Sequence, residues 1–451
     1  MVEHFVGITV MPEFIQTETV DGLLDNIERR TRATAVATSP YVMEPAAEGE
    51  GGREPPIDAG AGGVRLLDRP LWGKRELFVR TAPSFAPERR RYDGLRYQPS
   101  EPTALTRSQG PLVGQFVEAA KRRGLKVYLQ VQAAIPPGYR VQFGGPQDDD
   151  APRLPNGEVP KRRVDKNGSL ANPHILDYGA ALLADLATAY PQVDGFRVDW
   201  PEYPPYTLDD WFLDFSSHAR EEAGKLGIDA ETLQWEAQGL YQKLRGGDAG
   251  LLPGLLQTRV MRELGLLKAH LVEQLLGCYR AALDDAGAAA KELMPNAFPP
   301  PWSRLSGFDY ARAAPYSASL SVKLYTMHWP MMLRFAAEAV HGAEDTAART
   351  LARLLDLVDG APPDTMGAWH YPEPDEPHPV GLEAQQRKIV QARAEAGGTP
   401  VNALAHSYGP VEDFRRRLSV AWQASGGRVW INRYGYLSDA KLDVIGEVTA
   451  P

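Results

Sequence analysis

Cysteine is almost missing from this chain: Cys278 is the only one among 451 residues. A single thiol forms no intrachain disulfide, so burial must hold the fold together, and the composition suits a reducing compartment. Within the helical stretch Leu275-Leu276-Gly277-Cys278-Tyr279 it reads as a small buried hydrophobe. No apolar run reaches the ~18 residues that span a bilayer. Met1 to Pro12 also lacks a basic segment leading into an apolar one. Cytoplasmic residence and no membrane partner are therefore expected.

Basic stripes are missing as well. The net charge is −9 with both signs interspersed, whereas phosphate-backbone binding needs a concentrated Lys/Arg footprint, so no nucleic-acid partner is expected. Arg89-Arg90-Arg91 and Arg415-Arg416-Arg417 are short and read as solvated faces, the first of a loop and the second of a helix. No histidine pair has zincin spacing, and Asp148-Asp149-Asp150 lacks the alternate ligands and glycine of a calcium loop. His370 and His378, which flank Glu373, Asp375 and Glu376, read as part of a solvated acidic loop. Walker, dinucleotide and nucleophile-elbow patterns do not occur, so neither a metal nor a cofactor is expected.

What the chain does have is alternation. Short β-type runs take turns with helical segments, which predicts parallel strands with helical crossovers. The strands are expected at Phe5–Val10, Ala33–Met43, Leu125–Ala134, Val193–Trp200, Leu293–Phe298, Ser319–Trp329, Val401–Tyr408 and Arg428–Leu437. Helices are expected at Thr19–Arg30, Pro111–Arg123, Pro173–Tyr190, Leu208–Glu292 (interrupted near Gly246–Pro253), Pro330–Val358, Leu382–Ala396, Val411–Ala424 and from Ser438 onward. Asn172-Pro173 is an N-cap followed by proline at the first helical position. Eight strand–helix units fill the chain, so the expectation is one α/β fold, a (β/α)₈ TIM barrel spanning 1–451. Long βα-loop insertions at about 46–110 and 136–167 follow strands and are expected as cleft walls on the C-terminal face.

Strand four reads Asp194-Gly195-Phe196-Arg197-Val198-Asp199-Trp200. Strand side chains alternate, so Arg197 and Asp199 are expected to point into the barrel, where a guanidinium beside a carboxylate keeps it ionised. Other polar groups fall on the same strand ends: Gln130 and Gln132, Asn296, Lys323 and Tyr325, Thr326 and His328, Asn402, His406 and Tyr408, Asn432, Arg433 and Tyr434. With Trp200, Tyr203, Trp302 and Trp329 they predict a cleft of hydrogen-bonding groups beside aromatic plates. Such a lining fits sugars, which carry hydroxyls on their edges and C–H on their faces. A phosphate site would want glycine-rich turns after strands seven and eight, which Ala405-His406-Ser407-Tyr408-Gly409 does not supply.

The run Asn172-Pro173-His174-Ile175 through Asp194-Gly195-Phe196-Arg197-Val198-Asp199-Trp200-Pro201-Glu202-Tyr203 resembles the strand-four region of glycosyl-hydrolase-like barrels. Gly307-Phe308-Asp309-Tyr310 and Val322-Lys323-Leu324-Tyr325-Thr326-Met327-His328-Trp329 resemble their later strands. Gly195-Phe196-Arg197-Val198-Asp199 is also similar to an α-amylase superfamily motif, and that resemblance implies a nucleophile at Asp199. Strand three, Tyr128-Leu129-Gln130-Val131-Gln132, lacks that superfamily's Asp and His, and strand five offers no glutamate. The glycosyl-hydrolase resemblance implies catalysis by two carboxyl groups. Asp309 is the favoured second carboxyl, Glu202 the next, with Glu13 and Glu44 at the ends of strands one and two. The expected activity is a glycoside hydrolase or transglycosidase acting on a carbohydrate substrate. The alternatives are a sugar or sugar-acid lyase or isomerase using Lys323 and His328, and a carbohydrate-binding barrel without catalysis.

Overall fold

The structure, a computed structural model, describes residues 4–56, 65–140, 143–161 and 163–450. Its strands are β1 (Phe5–Thr9), β2 (Ala35–Thr38), β3 (Tyr41–Ala46), β4 (Gly52–Glu54), β5 (Leu77–Pro83), β6 (Lys126–Gln132), β7 (Gly195–Asp199), β8 (Glu292–Ala297), β9 (Leu320–Leu324), β10 (Val401–His406) and β11 (Arg428–Asn432). Eight of them close into a barrel in the order β1-β11-β10-β9-β8-β7-β6-β2. Neighbours run parallel throughout. Every residue of β1, β2, β7, β9 and β10 is buried, as expected where helices cover the outside of a parallel sheet. The chain is an α/β protein of the (β/α)₈ type.

All eight expected barrel strands form, but several end earlier than their apolar runs suggest. The run Ala33–Met43 divides into β2 and β3 at Ser39-Pro40, because proline cannot donate to a ladder. β3 leaves the barrel and pairs antiparallel with β5, which also pairs with β4. The first insertion is therefore a small sheet rather than a loop. The run Ser319–Trp329 stops as a strand at Leu324, and His328 and Trp329 open the helix His328–Glu338. Tyr408 and Tyr434 lie just beyond β10 and β11. Cys278 is half-buried in the helix Arg259–Asp285.

The floor beneath the mouth is set by Gly7 on β1. A Cβ there would lie 2.2 Å from Trp430, so only glycine leaves room for that indole in the lumen. Trp430 donates Nε1–H to Met294 Sδ (3.0 Å) and meets Tyr128 edge-on. The guanidinium of Arg197 rests 4.0 Å from its ring centroid. No helix among the described residues is long and apolar enough to cross a membrane.

Candidate active site at the mouth of the barrel

β7 delivers Arg197 and Asp199 to the lumen as strand alternation requires, but they do not pair with each other. Arg197 donates to Thr9 Oγ1 (2.7 Å), Gln130 Oε1 (3.2 Å) and Asn296 Oδ1 (3.2 Å), from β1, β6 and β8. Asp199 instead holds Lys323 of β9, with Nζ 2.7 Å from Oδ1. The expected Arg197–Asp199 pair is thus corrected. An arginine two residues earlier on the strand lies one layer deeper, and the lysine reaches the strand end from across the ring. Lys323 Nζ also sits 5.2 Å and 5.3 Å from the Trp200 and Phe298 ring centroids, cation–π distances that suit a buried ammonium.

Register sets the rest of this ring. Gln132, Asp199 and Asn296 are direct neighbours across β6, β7 and β8, and His406 faces Asn432 across β10 and β11. Trp200, the next residue after Asp199, takes φ +51°, a left-handed backbone that costs a non-glycine residue strain and tends to occur at functional sites. Asp199 remains 8% exposed while Lys323 and Arg197 are fully buried. Several buried polar atoms on these strand ends have no hydrogen-bond partner among the described residues: Gln132 Oε1, Arg197 Nε, Trp200 Nε1, Asn296 Nδ2 and Asn432 Oδ1. Folded proteins leave few such atoms, so these strand ends offer polar groups that a bound molecule could satisfy.

Glu202 stands behind this ring. Its Oε1 accepts from Phe298 N (2.8 Å) and its Oε2 from Ser306 Oγ (3.3 Å). Complete burial pushes its pKa up to about 8 against the opposing charge of Lys323, while Asp199 adds to the rise. At neutral pH it carries a proton, as the acid of a two-carboxyl pair must. The other side of the mouth is aromatic and imidazole. Tyr206 Oη lies 2.9 Å from His328 Nδ1, Asn432 Nδ2 donates to Tyr325 Oη (2.7 Å), and Tyr325 packs edge-on against His328 and His406. His406 Nδ1 accepts from Tyr408 N (3.1 Å). Burial first, then the charge of Arg65, holds the His406 imidazole well below its ordinary range.

A second cluster of charges lies at the rim. Glu13, which follows β1, accepts from Tyr41 Oη (3.0 Å), Arg140 (3.2 Å) and Arg433 (3.4 Å). Glu54 of β4 pairs with Arg140 (2.6 Å) and with Arg433. All five residues are buried. The cluster ties both insertions to the ends of β1 and β11.

Several residues expected at the mouth are elsewhere. Asp309 accepts from Ala311 N and Arg312 N as the N-cap of the turn Tyr310–Ala313. It lines a surface cavity of about 550 Å³ with Met261, Arg262 and Arg304. Its carboxylate is engaged on the helical shell, because Gly307 and the short helix Trp302–Ser306 carry the chain outward after β8. Tyr203 Oη donates to Asp214 in the segment after β7 and accepts from Leu170 N, which precedes the helix Pro173–Ala189. Trp302 and Trp329 are fully buried, the latter beneath Lys388. Asn402 sits at the start of β10 and bonds Ser319 and Arg428. Thr326 bonds His378 (2.6 Å), and Glu44 is an exposed residue of β3. Arg417 is buried rather than solvated; it pairs with Asp413 (2.7 Å) and donates to His406 O and Tyr408 O. Its i, i+4 spacing from Asp413 was the one available signal. Glu54, Arg140 and Tyr371 carried none, since each reaches the mouth from a segment distant in sequence, and His378, expected in a solvated acidic loop, is instead buried against Thr326.

No family model matches the chain, and no curated protein matches it by sequence. Among solved structures, it is similar to the catalytic domain of beta-amylase from Paenibacillus polymyxa, with a TM-score of 0.52 at 10% identity over 97% of this chain and 94% of that one. Beta-galactosidase from the psychrophilic Marinomonas ef1 gives 0.47 at 11% identity over 95% of this chain; this chain spans 54% of that protein, about half its length. A class V chitinase from Pseudomonas fluorescens Pf-5 gives 0.44 at 10% identity over 99% of this chain and all of the other. At such identities the beta-amylase match shows one thing, the shared closed barrel of parallel strands wrapped by helices.

Proposed function

We propose that the chain is a glycoside hydrolase or transglycosidase, a single catalytic barrel whose two insertions wall the cleft. The observation that carries this reading is the Asp199 carboxylate. It stands at the C-terminal end of a barrel strand, 8% exposed, with Oδ1 held by Lys323. In this position it attacks the anomeric carbon or stabilises the positive charge that develops there. The glycosidic C–O bond breaks, the leaving oxygen takes a proton, and water or an acceptor hydroxyl completes the exchange. Glu202 is the proton-holding carboxyl, since Asp309 is engaged elsewhere. Trp200, Tyr206, Tyr325 and His406 supply the stacking and hydrogen-bonding surface. The similar barrel of a beta-amylase supports a carbohydrate substrate.

One observation favours a second reading. Lys323 beside Asp199 is also a pair able to move a proton at a carbon next to a carbonyl, as a sugar-acid lyase or isomerase requires. Product analysis separates the two: hydrolysis releases one reducing end per bond cut, elimination leaves an unsaturated ring, and isomerisation leaves mass unchanged. The direct test is Asp199→Asn against aryl glycosides and oligosaccharides, with turnover lost and sugar binding retained as the expected result. Unchanged turnover would remove Asp199 from the chemistry. Binding without turnover in the parent protein would make the barrel a carbohydrate-binding module.

A further inference from the structure

The buried charges on the barrel strand ends do not cancel. Asp199 is matched by Lys323. At the rim, Glu13 and Glu54 are matched by Arg140 and Arg433. Glu202 is held protonated by its burial, and Asp413 and Asp68 are matched by Arg417 and Lys441. Arg197 touches none of these carboxylates. Its guanidinium is fully buried, and its contacts are the neutral oxygens of Thr9, Gln130 and Asn296 and the face of Trp430. Burial draws its pKa down only to about 10, so it stays charged at neutral pH. Its Nε has no partner. An unmatched buried cation is costly, and a ligand anion that enters a low-dielectric mouth offsets that cost.

Resting on the carbohydrate reading of the same mouth, we propose that the sugar unit bound beside Asp199 is anionic, a uronic acid or similarly carboxylated sugar. Its carboxylate lies on the Arg197 and Lys323 side of the ring. The unpartnered donors Trp200 Nε1 and Asn296 Nδ2 are there to receive it, beside the Lys323 ammonium. A neutral sugar satisfies these donors with hydroxyls but leaves the charge unmatched.

The test compares matched pairs in both anomers, 4-nitrophenyl glucosides with glucuronides and galactosides with galacturonides, by kcat/KM. Calorimetric binding of neutral and uronic oligosaccharides accompanies it. The uronides are expected to win by roughly 10- to 100-fold, the scale of a hydrogen bond to a charged group. Equal or better use of the neutral partners overturns the anionic assignment and leaves the glycosidase reading standing. If neither series is bound or cleaved, both fall. Asn296→Asp sharpens the result, because this near-isosteric change gives Arg197 a carboxylate at the position that now accepts its Nη2 bond. The uronide-to-neutral ratio should then drop toward one in a protein whose melt is no lower than the parent's. A ratio unchanged in that variant overturns the charge origin.

Discussion

Two groups of buried charges face the same end of the barrel, and they are built in opposite ways. At the rim, Glu13, Glu54, Arg140, Arg433 and Tyr41 match charge for charge and join four separate segments. In the ring around Asp199, one ion pair sits among unpartnered donors and acceptors above an arginine whose hydrogen bonds all go to neutral oxygens. A satisfied buried cluster specifies structure, since removing one member strands the others. An unsatisfied one is tolerated only where something else completes it. The rim is built as a clasp, and the ring is the proposed site.

The comparison breaks first at Asp199. Asp199→Asn should lower turnover on the order of 10⁴-fold, the scale seen when a catalytic carboxylate is lost, with a smaller fall in melting temperature than any rim variant. Steady-state kinetics beside a thermal melt decides it. At the rim, Glu54→Gln leaves two guanidinium groups around one carboxylate and should cost about 3–5 kcal/mol in denaturant unfolding. A loss near zero would mean that the cluster is not the clasp. Gly7→Ala puts a methyl into Trp430 and should cost about 1–3 kcal/mol by overpacking. Activity should fall with it, because Arg197 rests on that ring.

The smallest effect is a pH slope. Glu202 has a folded pKa near 8, raised by burial from 4.5. Between those values the native state binds a proton that the unfolded chain does not, so its contribution is full below about 4.5 and is lost as pH rises toward 8. The slope is about −1.4 kcal/mol per pH unit at most. Unfolding free energies across that window should fall less steeply in Glu202→Gln. Identical slopes in parent and variant would place the Glu202 proton elsewhere.

The barrel was legible because its signal is local. Strand four could be read from Gly195 to Asp199 down to which side chains face the lumen, and the Asn172 cap is where its sequence put it. Strand ends were less legible. The Ser319–Trp329 run looks uniform, yet the ladder stops at Leu324. Partnership was not legible at all. Arg197 and Lys323 are both cations on lumen faces, and nothing in either strand says which of them reaches Asp199.

The sequence by itself determined the order of strands and helices, the inward face of β7 and the chemistry on offer at the strand ends, because alternation and capping act over a few residues. Tertiary structure alone decided that Lys323 rather than Arg197 holds Asp199, that Glu202 is buried with its proton while Asp309 caps a helix outside, and that Glu54 and Arg140 meet Glu13 and Arg433. Those outcomes depend on the depth of each side chain in the closed ring and on what desolvation leaves charged. Both quantities exist only once strands distant in sequence have been brought side by side.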